Sequence, residues 1–213
     1  MTAKRIGNVC ILIGFLLFLT SALLVYSNLA EEKNAEEASN AVIVKLNEMV
    51  SAADTTSEKA EGSTHASDRP DVIADYKLYP QMEMPIVRID GHDYIGTVSI
   101  PRLGLDLPVM STWSYDNLKI APCRFSGSAY LGNLIVCAHN YSCHFRQIGT
   151  LDANDEVIIM DAERNTFVYS VAERETLQPD QLAELQDGDW DLTLFTCTLG
   201  GKTRIVIRCV RCG

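Results

Sequence analysis

The end of the chain contains two runs of β-type sequence that are separated by a pair of glycines. From Leu192 to Cys197 the side chains divide into two faces with a period of two, which is typical of a β-strand: Leu192, Leu194 and Thr196 on one face, and Thr193, Phe195 and Cys197 on the other. After Gly200-Gly201, a second β-rich run extends from Thr203 to Val210. Two such runs joined by a glycine-containing turn predict a β-hairpin.

Similar short runs recur upstream, beginning near Tyr76. They are Tyr94–Ile100, Leu105–Met110, Asn133–His139, Glu156–Met160 and Thr166–Val171. Pro108 in the second run indicates an edge strand or a bulge, because proline cannot donate a ladder hydrogen bond. Single helical turns are predicted within residues 113–119 and 178–185. Seven or eight short strands with little helix predict an all-β fold, either a barrel or a sandwich.

The first thirty residues have a different pattern. Val9 to Tyr26 is an apolar-to-neutral run of 18 residues, and it reaches Leu29 without a charge. This approaches the ~20 residues that a helix needs to cross a bilayer. Lys4 and Arg5 precede the run and acidic residues follow it, so the positive-inside rule predicts a cytoplasmic tail (1–8), a transmembrane anchor (9–29) and everything later outside the membrane. A cleaved signal peptide is the alternative, and Asn28-Leu29-Ala30 is a poor cleavage site for it.

Residues 30–75 are predicted to form an acidic stalk and linker. Apolar residues recur at helical spacing over 31–50, whereas 51–71 has almost no large apolar side chain and predicts a flexible tether. Residues 31–75 carry a net charge of −7, out of −10 for the whole chain. Because the chain has no basic stripe interleaved with aromatic residues, a nucleic-acid partner is not expected. Residues 76–213 are the predicted folded domain.

Three side chains could form a catalytic group. Cys197 lies at the mouth of the hairpin, His139 ends an apolar strand, and Arg204 lies on the return strand. A cysteine with a histidine provides a nucleophile and an acid-base partner, and a cation can stabilise an oxyanion. Arg208 is a rival for Arg204, since alternation puts both on one strand face. The alternative is that the cysteine is half-buried core and the histidine is structural.

The residues resemble those of the sortases, the cysteine transpeptidases that attach surface proteins to Gram-positive cell walls. Thr193-Leu-Phe-Thr-Cys197 is similar to the family's Thr-Leu-x-Thr-Cys motif, and Ala138-His139-Asn140 and Lys202-Thr203-Arg204 resemble the segments with its catalytic histidine and arginine. The run from Ile95 to Val109 resembles the first two strands. The similarity extends over roughly residues 76–213. It implies a closed seven- to eight-stranded sortase-type β-barrel with short helices, preceded by the transmembrane helix and stalk.

The resemblance also implies an activity. Cys197 would attack a C-terminal sorting signal of the Leu-Pro-x-Thr-Gly type and form a thioester, with His139 as acid and base and Arg204 at the oxyanion. The acyl group would pass to an amine of a cell-wall precursor or a pilin. No cofactor is implied, and the sequence does not decide a calcium requirement. The short segment between His139 and Cys197 is similar to class D or compact class B sortases.

Five further cysteines outside the anchor leave other possibilities open. Cys137 and Cys209 lie in apolar strands and are predicted to be buried thiols; Cys123, Cys143 and Cys212 have no assigned state. A zinc site at Cys143-His144 and Cys209-x-x-Cys212 is an alternative. The non-enzymatic alternative is a membrane-tethered extracytoplasmic β-module that binds a partner or zinc, with a structural Cys197. A papain-like protease is disfavoured because its cysteine precedes its histidine, and an L,D-transpeptidase because its nucleophile signature is missing.

Overall fold

The helices flank the β-structure or connect its strands. A computed structural model describes residues 2–59 and 74–212. Within these residues the α-helices are α1 (Thr2–Lys59), α2 (Asp75–Leu78) and α3 (Tyr115–Leu118). Short 3₁₀ helices cover Pro101–Leu103, Ile148–Thr150, Leu182–Gln186 and Leu199–Gly201.

The strands form one sheet that closes on itself. They are β1 (Val87–Ile89), β2 (His92–Ile100), β3 (Leu105–Met110), β4 (Cys123–Ser126), β5 (Leu134–Ala138), β6 (Glu156–Asp161), β7 (Thr166–Leu177), β8 (Leu192–Cys197) and β9 (Arg204–Arg211). Their order is β1-β2-β3-β4-β5-β8-β9-β7-β6, and a β2–β6 pairing closes strands β2 to β9 into an eight-stranded barrel. The predicted closed barrel is therefore confirmed.

Gly96 allows the closure of the barrel. It pairs with Asp161 across the β2–β6 contact and has a φ of 142°. A Cβ at this position would lie 1.9 Å from the carbonyl oxygen of Met160. Only glycine therefore lets the two strands approach so closely.

Apolar side chains pack on both faces of the barrel wall. Alternate residues of the central strands, such as Val136, Leu194 and Ile207, belong to the interior core. Their neighbours on the opposite face belong to a second cluster, which also includes Val42 and Leu46 of α1. Because a period-two strand presents one face inward and one outward, this second cluster lies on the outer face of the barrel, and α1 contributes to it.

Most predicted strands are present, with some differences. The hairpin of β8 and β9 is confirmed, and β3 has the predicted ends. β3 pairs with β4 through a single residue pair, so Pro108 lies where the second side of β3 has no continuous ladder, as its chemistry requires. The sequence analysis missed β1 and β4 and ended β7 six residues too early.

Helix α1 is longer than the sequence pattern indicates. It includes the predicted helix at 31–50 and continues to Lys59, into the stretch at 51–71 predicted to be a flexible tether; the rest of that stretch, residues 60–71 with His65, lies outside the described residues. By length and composition the helix contains one segment apolar enough to cross a membrane, and its side chains there are exposed. The division into tail, anchor, stalk and catalytic domain stays a prediction.

Candidate active site

The sheet brings His139 and Cys197 to the same edge. β5 and β8 are parallel neighbours, with Ala138 paired to Thr196, so the next residues, His139 and Cys197, lie at the same end of the two strands. The Thr196 hydroxyl also donates a hydrogen bond of 2.9 Å to the Ala138 carbonyl, which fixes the two strand ends together. His139 and Cys197 are both partly exposed and line one cavity of about 350 Å³.

Arg204 lies directly across the hairpin from Cys197. The two residues are paired in the antiparallel β8–β9 ladder, so their Cβ atoms are about 5 Å apart on one face. Nη1 of Arg204 donates to the carbonyls of Gly201 (3.1 Å) and Thr203 (3.2 Å). Arg204 is not among the residues that line the cavity, but it borders the cysteine that does. The three predicted residues thus share one end of β5, β8 and β9, and their catalytic roles stay a prediction.

The hairpin turn holds this end of the two strands in place. Thr198 N donates to the Thr203 carbonyl (3.0 Å), and Thr203 N donates to the Thr198 hydroxyl (3.1 Å). Gly200 and Gly201 between them have φ values of 80° and 69°, which non-glycine residues rarely adopt. The glycine pair therefore sets the register that places Arg204 opposite Cys197.

His139 has an environment that favours its neutral form. Burial of the ring is the largest effect and lowers its pKa, Glu31 acts in the opposite direction, and Lys119 lowers the pKa further. Within the described residues the imidazole has no hydrogen bond, and its ring packs at 4.9 Å from the Tyr141 ring. A neutral imidazole next to a thiol can accept the thiol proton, so the pair can generate a thiolate–imidazolium.

A family comparison decides what kind of protein carries this site. A sequence model of the sortase domain matches residues 98–212, more than half of the chain. The chain belongs to the sortase family. The predicted resemblance is therefore confirmed, and the sortases are cysteine transpeptidases, which act at the surface of Gram-positive bacteria.

Individual relatives agree with this assignment. Sortase A of Bacillus anthracis is 29% identical over 121 residues, which are 54% of this chain and 57% of that protein, so the match spans little more than half of the relative. Sortase C of Clostridium perfringens is 27% identical with a TM-score of 0.50, covering 57% of this chain and 71% of that one. Sortase C1 of Streptococcus agalactiae, at 24% identity and a TM-score of 0.54 over 67% and 78% of the two chains, shares the fold. These relatives are named A and C, and the class D or B interpretation stays a prediction.

The cysteines of this sortase differ in burial. All seven are free. Cys123, Cys137 and Cys209 are buried, which confirms the prediction for the last two, and burial raises the pKa of Cys123 and of Cys209 to about 12 and that of Cys137 further. Burial also raises the pKa of Cys143 to about 11. Among these four and Cys197, only Cys197 lines the cavity with His139.

The zinc alternative gains no support from the described residues. Over that part of the chain, no group of three or more His, Cys, Asp and Glu side chains is arranged to hold a metal. His144 is fully buried, and its Nε2 lies 3.4 Å from the Ser39 hydroxyl of α1. Sortases generally need no cofactor, and calcium dependence stays open.

The sequence analysis missed the contribution of α1 to the site. Asn28, Glu31 and Glu32 line the same cavity as His139 and Cys197. The sequence signal was the acidic pair that follows the apolar run, which was interpreted only as the outer flank of a membrane span. No local pattern indicates that these residues reach a groove more than 100 positions later in the chain.

Proposed function

We propose that this sortase is a membrane-anchored cysteine transpeptidase that cleaves a C-terminal sorting signal of the Leu-Pro-x-Thr-Gly type and transfers the acyl group to an amine. The observation that carries the proposal is the placement of His139 and Cys197 in one cavity with Arg204 paired opposite the cysteine. An acyl transfer needs a nucleophile, an acid-base group and a cation near the developing oxyanion, and these residue types supply them.

In the acylation step His139 accepts the Cys197 proton and the thiolate attacks the carbonyl carbon of the threonine that precedes the cleavage site. Negative charge develops on the carbonyl oxygen, where the Arg204 guanidinium stabilises it. Its Nε and Nη2 make no hydrogen bond within the described residues and are available for this role. The C–N bond breaks, the imidazolium donates its proton to the leaving amine, and a thioester remains on Cys197.

In the transfer step an acceptor amine attacks the thioester carbonyl. His139 takes the proton of the attacking amine, a new amide forms, and Cys197 leaves as a thiolate that recovers the proton. The acceptor is an amine of a cell-wall precursor or a pilin lysine. Water can replace the amine and gives hydrolysis.

The topology supports action at a membrane surface. Residues 9–29 are proposed to span the bilayer, residues 1–8 to lie in the cytoplasm and residues 76–213 to form the catalytic domain outside the cell. The first part of α1 exposes apolar side chains around the helix. Such a surface is unfavourable in water, which supports the placement of this segment in lipid.

Mass spectrometry of the acyl-enzyme tests this proposal. The full chain in detergent micelles is incubated with a library of sorting-signal peptides, and adducts and released tails are identified. We expect a peptide adduct on Cys197 and no adduct or release with Cys197→Ala. Cys212→Ala is the matched control, because it removes an exposed thiol outside the cavity and should react like the wild type. Wild-type cleavage by Cys197→Ala, or no adduct with any peptide, would contradict the proposal.

Thiol labelling separates the enzyme from a β-module with a structural Cys197. Cys137 and Cys197 lie two residues apart in register on one face of neighbouring strands, and Cys137 is 3% exposed. We expect iodoacetamide to label Cys197 in the folded protein and Cys137 only after denaturation. Equal protection of both thiols would favour the binding module.

A further inference from the structure

The part of α1 that follows the apolar segment is docked on the barrel. Ala35, Ser39, Val42 and Leu46 are 1–9% exposed and follow one another at spacings of three and four residues, so they form one helix face. The Ser39 hydroxyl donates a hydrogen bond of 2.9 Å to the Ile120 carbonyl, in the connection between α3 and β4. Small side chains at 35 and 39 allow the helix backbone to approach closely. The helix therefore has a fixed position next to the catalytic cavity.

At the cavity, this helix binds the loop that follows His139. The Glu32 carboxylate accepts a hydrogen bond from the Ser142 backbone N–H and lies 3.2 Å from Nη2 of Arg146. The Glu32 side chain is only 14% exposed. Burial raises its pKa, but the hydrogen bonds from Ser142 and the charge of Arg146 outweigh this effect, and the net pKa is lowered. Glu32 is therefore an ionised, partly buried partner of this loop.

The loop transmits this contact to His139. Its backbone is folded on itself, with Phe145 N donating to the His139 carbonyl at 3.3 Å. The Arg146 guanidinium, held by Glu32, also donates to the Asn140 carbonyl at 3.2–3.3 Å. Tyr141 packs its ring on His139, and its hydroxyl lies 3.5 Å from Glu31.

The imidazole of His139 depends on this packing for its orientation. Within the described residues the ring has no hydrogen bond of its own, so there is no carboxylate or carbonyl that fixes it directly. A displacement of Ser142 or Arg146 shifts Asn140 and Tyr141, and hence the ring. Acid-base catalysis is sensitive to such shifts, because misplacement by about 1 Å can cost up to about 100-fold in rate.

We propose that Glu32 is a positioning residue: through Ser142 and Arg146 it holds the 140–146 loop so that His139 faces Cys197, and the anchor helix thereby completes the catalytic site. This inference rests on the proposed function. It assigns to the first turn after the apolar segment a role beyond attachment to the membrane. A chain shortened to the barrel would lack this contact.

The experiment compares two charge-removing variants in the full chain in detergent micelles. Glu32→Gln removes the charge that pairs with Arg146, and Glu37→Gln removes a carboxylate on the same helix that is 67% exposed and, within the described residues, is paired only with Lys33. Steady-state cleavage of a sorting-signal peptide is measured against pH. We expect Glu32→Gln to lower kcat about tenfold with KM within about twofold, and to move the acidic limb of the pH profile, because the environment of His139 changes. Glu37→Gln should leave kcat, KM and pH profile unchanged.

A double variant tests the path through Arg146. We expect Arg146→Gln alone to lower kcat by a similar factor, and Glu32→Gln with Arg146→Gln to cause little further loss, because both act on one loop. A kcat for Glu32→Gln equal to that of Glu37→Gln, an increase in kcat, or a lower unfolding midpoint with unchanged kcat and pH profile would each overturn the inference. If the wild type forms no acyl-enzyme with any peptide, the proposed function fails instead.

Discussion

The β8–β9 hairpin carries one arginine near each of its two ends, and the two arginines differ in burial and in hydrogen bonding. At one end Arg208 is paired with Thr193 and is 3% exposed; at the other Arg204 is paired with Cys197 and is partly exposed. All three nitrogens of Arg208 are bonded, to Glu175 (2.6 Å), the Leu185 carbonyl (2.7 Å), Thr193 (3.1 Å) and the Glu184 carbonyl (2.6 Å). Arg204 uses one nitrogen. The two residues are both arginines and lie on the same face of β9. Their hydrogen-bond partners therefore determine which guanidinium is free to contact a substrate.

The largest expected effect is that of replacing Arg204, at the end of the hairpin that carries Cys197. Arg204→Met should lower kcat/KM by about 100- to 1,000-fold, the loss typical for removal of an oxyanion donor. The free energy of unfolding should change by less than about 0.5 kcal/mol, because the bonds lost are to an exposed and a partly buried carbonyl of the turn. Peptide cleavage and urea unfolding of the same sample measure both quantities. Cleavage at the wild-type rate by this variant, with loss of activity in a folded Arg208 variant, would transfer the role to Arg208.

Arg208→Met should show the reverse pattern. It leaves two carbonyls of the 178–191 connection and the Glu175 carboxylate, which is 32% exposed, without their donor. A buried acceptor that loses its donor costs about 1–3 kcal/mol, so we expect a loss of that size in the free energy of unfolding. Urea unfolding can be followed by tryptophan fluorescence, since Trp113 packs against Phe125 of β4 and Trp190 lies two residues before β8. A free energy of unfolding within about 1 kcal/mol of the wild-type value would mean that Arg208 contributes little to stability. The contrast between the two arginines would then be wrong.

The same contrast explains what the sequence could and could not predict. Alternation over 192–197 and 203–210 identified the hairpin, and chain order placed Cys197 and His139 at strand ends. Alternation could not distinguish Arg204 from Arg208, because the deciding carbonyls come from a connection that is remote in sequence. β4 was missed because it is only four residues long, and β7 was predicted too short because its polar second half is stabilised by pairing with β9 rather than by burial.

The docking of α1 was beyond sequence analysis for a related reason. Its buried face contains alanine and serine beside valine and leucine, so its hydrophobic stripe is weak. Small residues contribute here by close approach and by the hydrogen bond of Ser39, and neither leaves a periodic hydrophobic signal. A pattern that indicates a solvated stalk can therefore belong to a docked helix when its partner surface is formed elsewhere in the chain.

The smallest expected effect concerns the pH dependence of stability, and it comes from a comparison of the two histidines near the end of β5. His139 lines the cavity, whereas His144 is fully buried between α1 and the barrel, and its Nδ1 has no partner within the described residues. Burial is the main cause that lowers the pKa of His144 to about 4; His139 lowers it further, and Glu32 acts in the opposite direction.

The sign of the pH effect follows from this pKa. The unfolded chain binds a proton on His144 near pH 6.5 and the folded protein only near pH 4, so acid favours unfolding over that window. Stability is complete above pH 6.5, and the loss from pH 7 to pH 5 is about 2 kcal/mol for this residue. His144→Leu should remove that part of the pH dependence in urea unfolding, while Glu37→Gln should keep it. An unchanged difference between pH 7 and pH 5 would place the acid sensitivity on another group. It would also show that His144 is less dehydrated than its contacts with α1 indicate.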